Sequence, residues 1–391
     1  MIRTVLIALV CALVALFAGL WFGGHPESLP SALRDSFLVK DDRALRAEVT
    51  DVIRDNFYKR VDENQLDDAS LKGIVRSLDD PFSTYLTPKE AGRFEEAVSG
   101  RFEGVGMSVD QDKRGLRVLN VFDGTPAKRG GIRKGDLIVA VNGRSIAGVD
   151  SELATARIKG PAGTRVRLEI VREGKARRRR QLTLRRERIR VPVVEGRIVK
   201  RRAKRLGVVE LLTFSEGAHG ALEQEIRKLL RRGADGLVLD LRGNGGGLLE
   251  EAVLAASIFI EDGEVVSVRG RRRSKRTREA KGDAIAPRIP VVVLVDRGSA
   301  SASEIVAGAL RDHRRARLVG TRTFGKGLVQ EVTPLSNGGV LDLTVANYYL
   351  PSGKTIARKG LPPQVKARDD PNTRRDEALP VALDELAKRT K

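Results

Sequence analysis

Apolar residues in the second half of the chain come in short runs, each followed by a turn and then by apolar positions three and four apart. Leu206 to Thr213, Gly236 to Leu241 and Ile289 to Val295, the last interrupted only by Pro290, have the length and make-up of buried strands. Glu216 to Arg232 places Leu222, Ile226, Leu229 and Leu230 on one helical face, and further helices are predicted over Leu248 to about Phe259 and Glu304 to Leu310. Strand, turn and helix repeated in that order predict an α/β core. A charged stretch from Ala367 to Arg375 reads as mobile, and Glu377 to Lys388 reads as a closing helix. Between about Gly100 and Arg188 the pattern changes to short strands punctuated by glycine. VGMSVD, LRVLNV, DLIVAVNG and RVRLEIV read as strands there, and Ser151 to Ile158 as a short helix. Upstream, about Asp41 to Glu96 reads as helical. Leu45, Val49, Val52, Ile53 and Phe57 mark one apolar face for the core or a second subunit to cover, and Asp67 to Leu78 repeats the spacing.

Val5 to Gly24 follows neither pattern, being apolar throughout, without a charge, and preceded by Arg3. At ~1.5 Å per residue it is long enough for the ~30 Å hydrocarbon core of a bilayer. Phe17 to Phe22 offers no clean small-x-small cleavage site, so an uncleaved signal anchor is favoured over a removed signal peptide. Arg3 on the near side would leave the rest of the chain outside the cytoplasm, single-pass in the cell membrane, or secreted if the segment is cleaved.

Charge adds a second question about partners. The formal net charge is +21, concentrated in blocks at Arg177 to Arg180, Arg185 to Arg190, Lys200 to Arg205 and Arg271 to Arg278. Such blocks bind polyanions by displacing counterions, but interleaved aromatics and a recognisable binding module are missing, which argues against nucleic acid. A solvated face or mobile hairpin is the reading retained, with weak adhesion to an anionic membrane second. The single cysteine, Cys11, excludes internal disulfides and thiolate metal clusters. Neither a metal nor another cofactor is expected.

The chemistry concentrates in Arg297 to Gln330. Small residues from Gly298 to Ala302 join the Ile289 to Val295 strand to the next helix, so Ser299, Ser301 and Ser303 crowd a helix N-terminus. Free N–H groups and the positive end of the helix dipole converge there and would stabilise an oxyanion. A serine needs a base, and none of His25, His219 and His313 lies in a segment that reads as a strand-end loop. Lys326 does, between two glycines and near Phe324, Leu328 and Val329, where desolvation would favour its neutral form.

GSASASEI followed by TFGKGLVQ resembles the carboxyl-terminal processing peptidases, or tail-specific proteases, which use a Ser/Lys dyad and no histidine. The resemblance implies Ser301 as nucleophile, because the lysine follows it by about twenty-five positions in that family. Ser303 is the alternative, and Ser299 and Ser303 otherwise read as turn and cap residues. It further implies that Gln330 orients Lys326. The family's DLRxNxGG is matched by Asp240, Leu241, Arg242, Asn244, Gly246 and Gly247, which implies oxyanion donors at Gly246, or alternatively Gly247, and at Ala302. SLDDPFSTYLTPKE, Ser77 to Glu90, and LTVANYYLPSGKTI also resemble family segments, whereas Pro363-Gln364 stands where the family usually has Pro-Asp. GTPAKRGGIRKGDLIVAVNG resembles PDZ domains, with Val105, Gly106 and Met107 as the peptide-binding carboxylate loop: successive N–H groups form a nest and the following strand adds a peptide strand.

The expectation is a mixed α/β multidomain serine endopeptidase with crotonase-like strand-turn-helix units. Residues 1–24 would be the signal anchor or signal peptide, 25–98 linker and N-terminal helices, 99–188 the PDZ domain, and 189–391 the peptidase core with a C-terminal tail. Its partners would be protein or peptide substrates with free C-termini. One rival is a membrane-anchored PDZ adaptor with an inactive core, which predicts a broken dyad. A crotonase-like acyl-CoA enzyme is the other, and it has no use for a PDZ domain or an anchor.

Overall fold

The structure is a computed structural model that describes residues 42–172, 178–282, 284–370, 372–373 and 375–390, together with Leu13, Val14, Leu16, Phe17, Gly19 and Trp21. Most of the predicted anchor, Val5 to Gly24, therefore lies outside the described residues. Among the described residues no helix is long and apolar enough to cross a membrane.

The chain divides into two compact units, Met1–Ser77 and Leu78–Lys391. The first contributes α1 (Asp42–Asn56) and α2 (Glu63–Arg76), the latter capped by the Asp62 carboxylate on the Asn64 N–H. Of the predicted apolar face of α1, Leu45, Val49, Val52 and Phe57 are 51–61% exposed and Ile53 is half-buried.

The helical reading of Asp41 to Glu96 fails after Ser77. Asp79 adopts φ 52° and Pro81 lacks an N–H, so the helix stops, and the β-forming Thr84, Tyr85 and Leu86 follow as strand β1 (Thr84–Leu86). β1 pairs antiparallel with β18 (Val340–Tyr349). A capping box between Thr87 and Glu90 then starts α3 (Pro88–Ser99).

Next come β2 (Arg101–Gly104), β3 (Met107–Asp112), β4 (Gly115–Val121), α4 (Pro126–Arg129), β5 (Leu137–Val141), β6 (Arg144–Ser145), α5 (Ser151–Ile158), β7 (Arg165–Arg172), β8 (Arg178–Arg185) and β9 (Glu187–Arg190). Strands 3, 4, 5, 7 and 8 form one antiparallel sheet around Leu116, Ile138, Ile146, Leu168 and Ile170, with β6 on β5, while β2 pairs with β9. The first arginine block runs into β8, which pairs with β7 along its whole length. The other blocks also lie on strands and hairpin turns: β8 and β9, the turn from β10 (Val194–Arg201) to β11 (Lys204–Leu211), and the turn from β13 (Glu264–Gly270) into β14 (Arg273–Glu279). Pairing consumes the backbone and leaves most of the guanidinium groups to solvent. Arg186 is buried and bonded to the carbonyls of Ile158, Arg157 and Arg165, with no carboxylate paired to it among the described residues.

The core is a six-stranded sheet in the order β10, β11, β12 (Gly236–Asp240), β15 (Val291–Val295), β16 (Ala316–Gly320), β19 (Val365–Lys366); every neighbouring pair after the first is parallel. Alternation along the strands fills two layers. Leu237, Leu239, Val291, Val293 and Val295 pack with α6 (Ala218–Arg231), α7 (Leu249–Ser257) and α8 (Ala302–Asp312). Val238, Val292 and Leu294 pack with Leu379, Ala382, Leu383 and Leu386 of α9 (Ala378–Ala387). Both faces are buried, which is why these strands read as continuous apolar runs. The described part of the stretch read as mobile is anchored: Arg242 pairs with Asp369 at 2.8 Å and with neighbouring Asp376 at 2.9 Å. In a second sheet β1, β13 and β17 (Leu328–Pro334) pair with β18 and β14 pairs with β13, and the loop that carries Lys326 leads into β17.

Candidate active site

Ser301 sits between β15 and α8 at φ 53° and ψ −113°, a conformation costly for a residue with a side chain. The turn is held there by its two neighbouring serines. Ser299 Oγ donates to the Leu241 carbonyl at 2.7 Å and accepts from the Asp296 N–H, and Ser303 Oγ donates to the Asn244 carbonyl at 2.8 Å. Both hydroxyls are fully buried and committed to backbone groups. The Tyr348 hydroxyl meets Ser301 instead; burial raises that phenol to about 12, partly offset by the Ser301 contact, so it is protonated at neutral pH.

The glycine turn after β12 closes onto this serine turn. Buried Asn244 is the clamp: its Nδ2 donates to the Leu211 carbonyl, its Oδ1 accepts from the Gly246 N–H at 2.9 Å, and its carbonyl accepts from the Ala300 N–H. Gly246, at φ 105°, lies so close that an added Cβ would stand 2.8 Å from the Ala300 oxygen and 2.9 Å from Ser301 Cβ. Its carbonyl accepts from the Phe214 N–H. Because a trans peptide points N–H and C=O in opposite directions, the Gly247 N–H points away from Phe214. Among the described residues neither the Gly247 nor the Ala302 N–H has an acceptor, whereas that of Gly246 is taken by Asn244.

Lys326 is half-buried, and its Nζ donates to Gln330 Oε1 at 2.5 Å. Gln330 Nε2 in turn donates to the Phe82 carbonyl, and the Phe82 ring centroid lies 5.1 Å from Nζ. Burial pushes the amine below its ordinary value, against the opposing pull of Asp342 and Asp80. Among the described residues no hydrogen bond joins Lys326 Nζ to Ser301 Oγ.

Glu304 joins the two halves. Fully buried in α8, its Oε2 accepts from the Ser301 N–H at 3.0 Å and the Lys326 N–H at 2.9 Å, and its Oε1 from Thr323 Oγ1 at 2.5 Å and the Gly325 N–H at 2.8 Å. Desolvation raises its carboxyl, and these four donors restrain the rise. A single carboxylate oxygen thus keeps the Ser301 and Lys326 backbone nitrogens within two hydrogen-bond lengths of each other.

Residues 205–367 match Peptidase family S41. Over 362 residues the chain is 35% identical to the carboxy-terminal processing protease CtpA of Bacillus subtilis (strain 168), covering 92% of this chain and 76% of that protein. The chain belongs to the carboxyl-terminal processing peptidases. As a member of that family it is a serine-type peptidase acting on C-terminal segments. The carboxy-terminal-processing protease of Bartonella bacilliformis is 36% identical over 81% of this chain and 73% of that protein. Residues 94–171 match the PDZ domain and 41–90 the activating protease CtpB N-terminal domain. A putative S41 protease from Bacteroides fragilis NCTC 9343 shares the fold, with TM-score 0.54, 20% identity, and coverage of 88% of this chain and 98% of that one.

In this peptidase the loop before β3 keeps Val105 buried. Gly106 takes φ 86°, and an added Cβ would stand 2.3 Å from Thr125. The carbonyls of Val105 and Gly106 accept from Ala127 and Phe122, while their N–H groups meet no acceptor among the described residues. Met107 opens β3. His219 lies apart from the serine turn, its Nδ1 2.8 Å from Glu251, and His313 Nε2 contacts the Glu264 carbonyl. From the sequence Glu304 reads only as the start of a helix, and nothing there marks Asp80, Phe82, Asp342 or Tyr348 as neighbours of Ser301 and Lys326. The available signal was the resemblance of SLDDPFSTYLTPKE, which named a segment without a place.

Proposed function

We propose that this peptidase cleaves near the C-termini of extracytoplasmic proteins with Ser301 as nucleophile and Lys326 as general base. It would be held at the membrane through Val5 to Gly24. The observation that carries the reading is the Glu304 oxygen shared by the Ser301 and Lys326 backbones. Lys326 Nζ, aimed by Gln330, takes the Ser301 proton as Oγ adds to the scissile carbonyl; the resulting ammonium protonates the leaving amine, and water then releases the acyl group from Oγ. The developing oxyanion is met by the Ala302 N–H and by the glycine turn. Of the two glycines that the family resemblance implies, Gly246 has its N–H engaged with Asn244, so Gly247 is the better donor.

The test is a comparison of protein C-termini in cells carrying the wild type and Ser301→Ala. Extracytoplasmic proteins should retain longer C-termini in the variant; identical C-termini, or differences confined to cytoplasmic proteins, would overturn the proposal.

The free Val105 and Gly106 N–H groups, with Met107 beginning the strand beside them, support a carboxylate-binding loop in the PDZ domain. Amidating a peptide's C-terminus should remove a charge-assisted contact of ~1.5–3 kcal/mol, weakening binding to full-length Ser301→Ala roughly ten- to a hundredfold. Equal affinity for acid and amide, measured by calorimetry, would rule that docking out.

A further inference from the structure

The turn that precedes β1 reaches the base from outside the strand-turn-helix core. It is pinned at both ends: Ser83 Oγ donates to Asp80 Oδ2 at 2.6 Å, the Phe82 N–H donates to Asp80 Oδ1, the Thr344 N–H donates to Ser83 Oγ at 3.0 Å, and β1 pairs with β18. Phe82 is thereby presented to the lysine loop in three ways. Its carbonyl accepts from Gln330 Nε2, its ring covers Lys326 Nζ, and its edge meets Phe324 with centroids 6.5 Å apart. A primary amide aimed by only one partner can flip and exchange its oxygen for its nitrogen. The Phe82 carbonyl prevents this, because it accepts only from the NH2 and so leaves Oε1 for the lysine.

We propose that Phe82 is a positioning residue for the reaction: its carbonyl fixes the Gln330 amide and its ring shields the Lys326 amine, so that the Leu78–Leu86 segment completes the base. The inference rests on Lys326 being that base. It makes the base dependent on a segment that directly follows α2, and displacement of the segment would leave Gln330 free to turn and Nζ open to water.

The charged and titratable groups around the amine are Asp80 on the same turn, Asp342 on β18, and Glu304 of α8 at the Lys326 N–H; Tyr348 of β18 stands at Ser301. Asp80 and Asp342 favour the ammonium, and burial opposes them. The ring contributes to both sides, excluding water and attracting the cation. Exclusion of water is the larger effect, since desolvating an ammonium costs more than a ring face returns. Truncating Phe82 should therefore raise the lysine's pKa.

The experiment measures initial rates of fluorescein-labelled β-casein hydrolysis from pH 6 to pH 11 by the full-length protein and by Phe82→Ala, Phe82→Val and Phe82→Tyr. Thermal unfolding of each protein is followed in parallel. For the alanine variant the rising limb should move to higher pH, with kcat at pH 7 reduced about tenfold for each unit of movement, recovery at high pH, and little change in KM. Valine should fall between alanine and wild type, and tyrosine should restore the profile. If the alanine variant does not fold, the valine variant carries the same reading. An unmoved limb in a folded truncation, whether activity is retained or lost equally at every pH, would overturn the proposal. Lys326→Ala separates the two claims: activity in that variant sinks the base assignment itself, whereas an inactive Lys326→Ala beside an unshifted Phe82→Ala sinks only the role of Phe82.

Discussion

Replacing Ser301 or Lys326 by alanine is expected to lower turnover by on the order of 10⁴-fold or more, and the double change should be no worse than either single one. Groups that act as one unit fail together, because neither an unactivated serine nor a base without a nucleophile forms the acyl intermediate. Ser299→Ala and Ser303→Ala should lose far less activity. Their hydroxyls hold the turn against Leu241 and Asn244, so their removal loosens Ser301 without removing the reacting atom. The pH profile follows from the same base. Burial holds Lys326 below the ordinary lysine value, and only its neutral form accepts a proton. Activity should therefore rise with pH until it passes that depressed value and then level, with no histidine step near ~6.5. Changing His219 and His313 together should leave the limb in place. Steady-state rates on labelled β-casein decide the matter: an active Ser301→Ala with a dead Ser303→Ala would reassign the nucleophile, and a limb abolished by either histidine change would reassign the base.

The second large effect is expected at Glu304. Alanine there strands four donors, the N–H groups of Ser301, Gly325 and Lys326 and the Thr323 hydroxyl, in a fully buried place. At ~1–3 kcal/mol for each buried group left unsatisfied, with partial relaxation, a loss of roughly 3–5 kcal/mol in stability is expected. The serine turn and lysine loop would also lose their common anchor, and kcat should fall by about 10²-fold or more, since small displacements of reacting groups cost that much. Glu304→Gln is the sharper test. Its amide keeps the shape, but its NH2 must face one of two donor pairs, so it should fold better than alanine and still lose most of kcat. Urea midpoints and kcat measured on the same samples check this; wild-type kcat in a folded Glu304→Ala would show that the shared carboxylate is not what aligns the site.

Much of the architecture was legible because its causes are local. Strands buried on both faces must be unbroken apolar runs, and the Leu237, Val238, Leu239 alternation, feeding one layer and then the other, is such a run. The helix over Ser151–Ile158 buries Ala154 and Ile158, four apart on one face, whereas the helices after β12 and β15 are buried on most sides and are correspondingly rich in small and apolar residues. Where reading along the chain went wrong, long-range pairing had overruled local pattern. Thr84 to Leu86 reads as part of a helical region because three residues carry little periodicity, and their strand exists through its partner 254 or more positions away in β18. The charged stretch before α9 reads as mobile, yet in its described part Asp369, and next to it Asp376, are drawn in by Arg242 from the far side of the sequence.

The sequence by itself determined the serine and lysine candidates, the family to which the chain belongs, and the strand-turn-helix units that expose a helix N-terminus beside a glycine turn. Only the tertiary structure decided which groups surround them. That Ser299 and Ser303 spend their hydroxyls on backbone carbonyls, that Asn244 occupies the Gly246 N–H and leaves Gly247 free, and that Glu304 ties both loops while Phe82 covers the amine are all contacts between distant parts of the chain. Hydrogen bonds and desolvation depend on distances of a few ångströms, and sequence separation does not encode those distances until the sheets have brought the loops together.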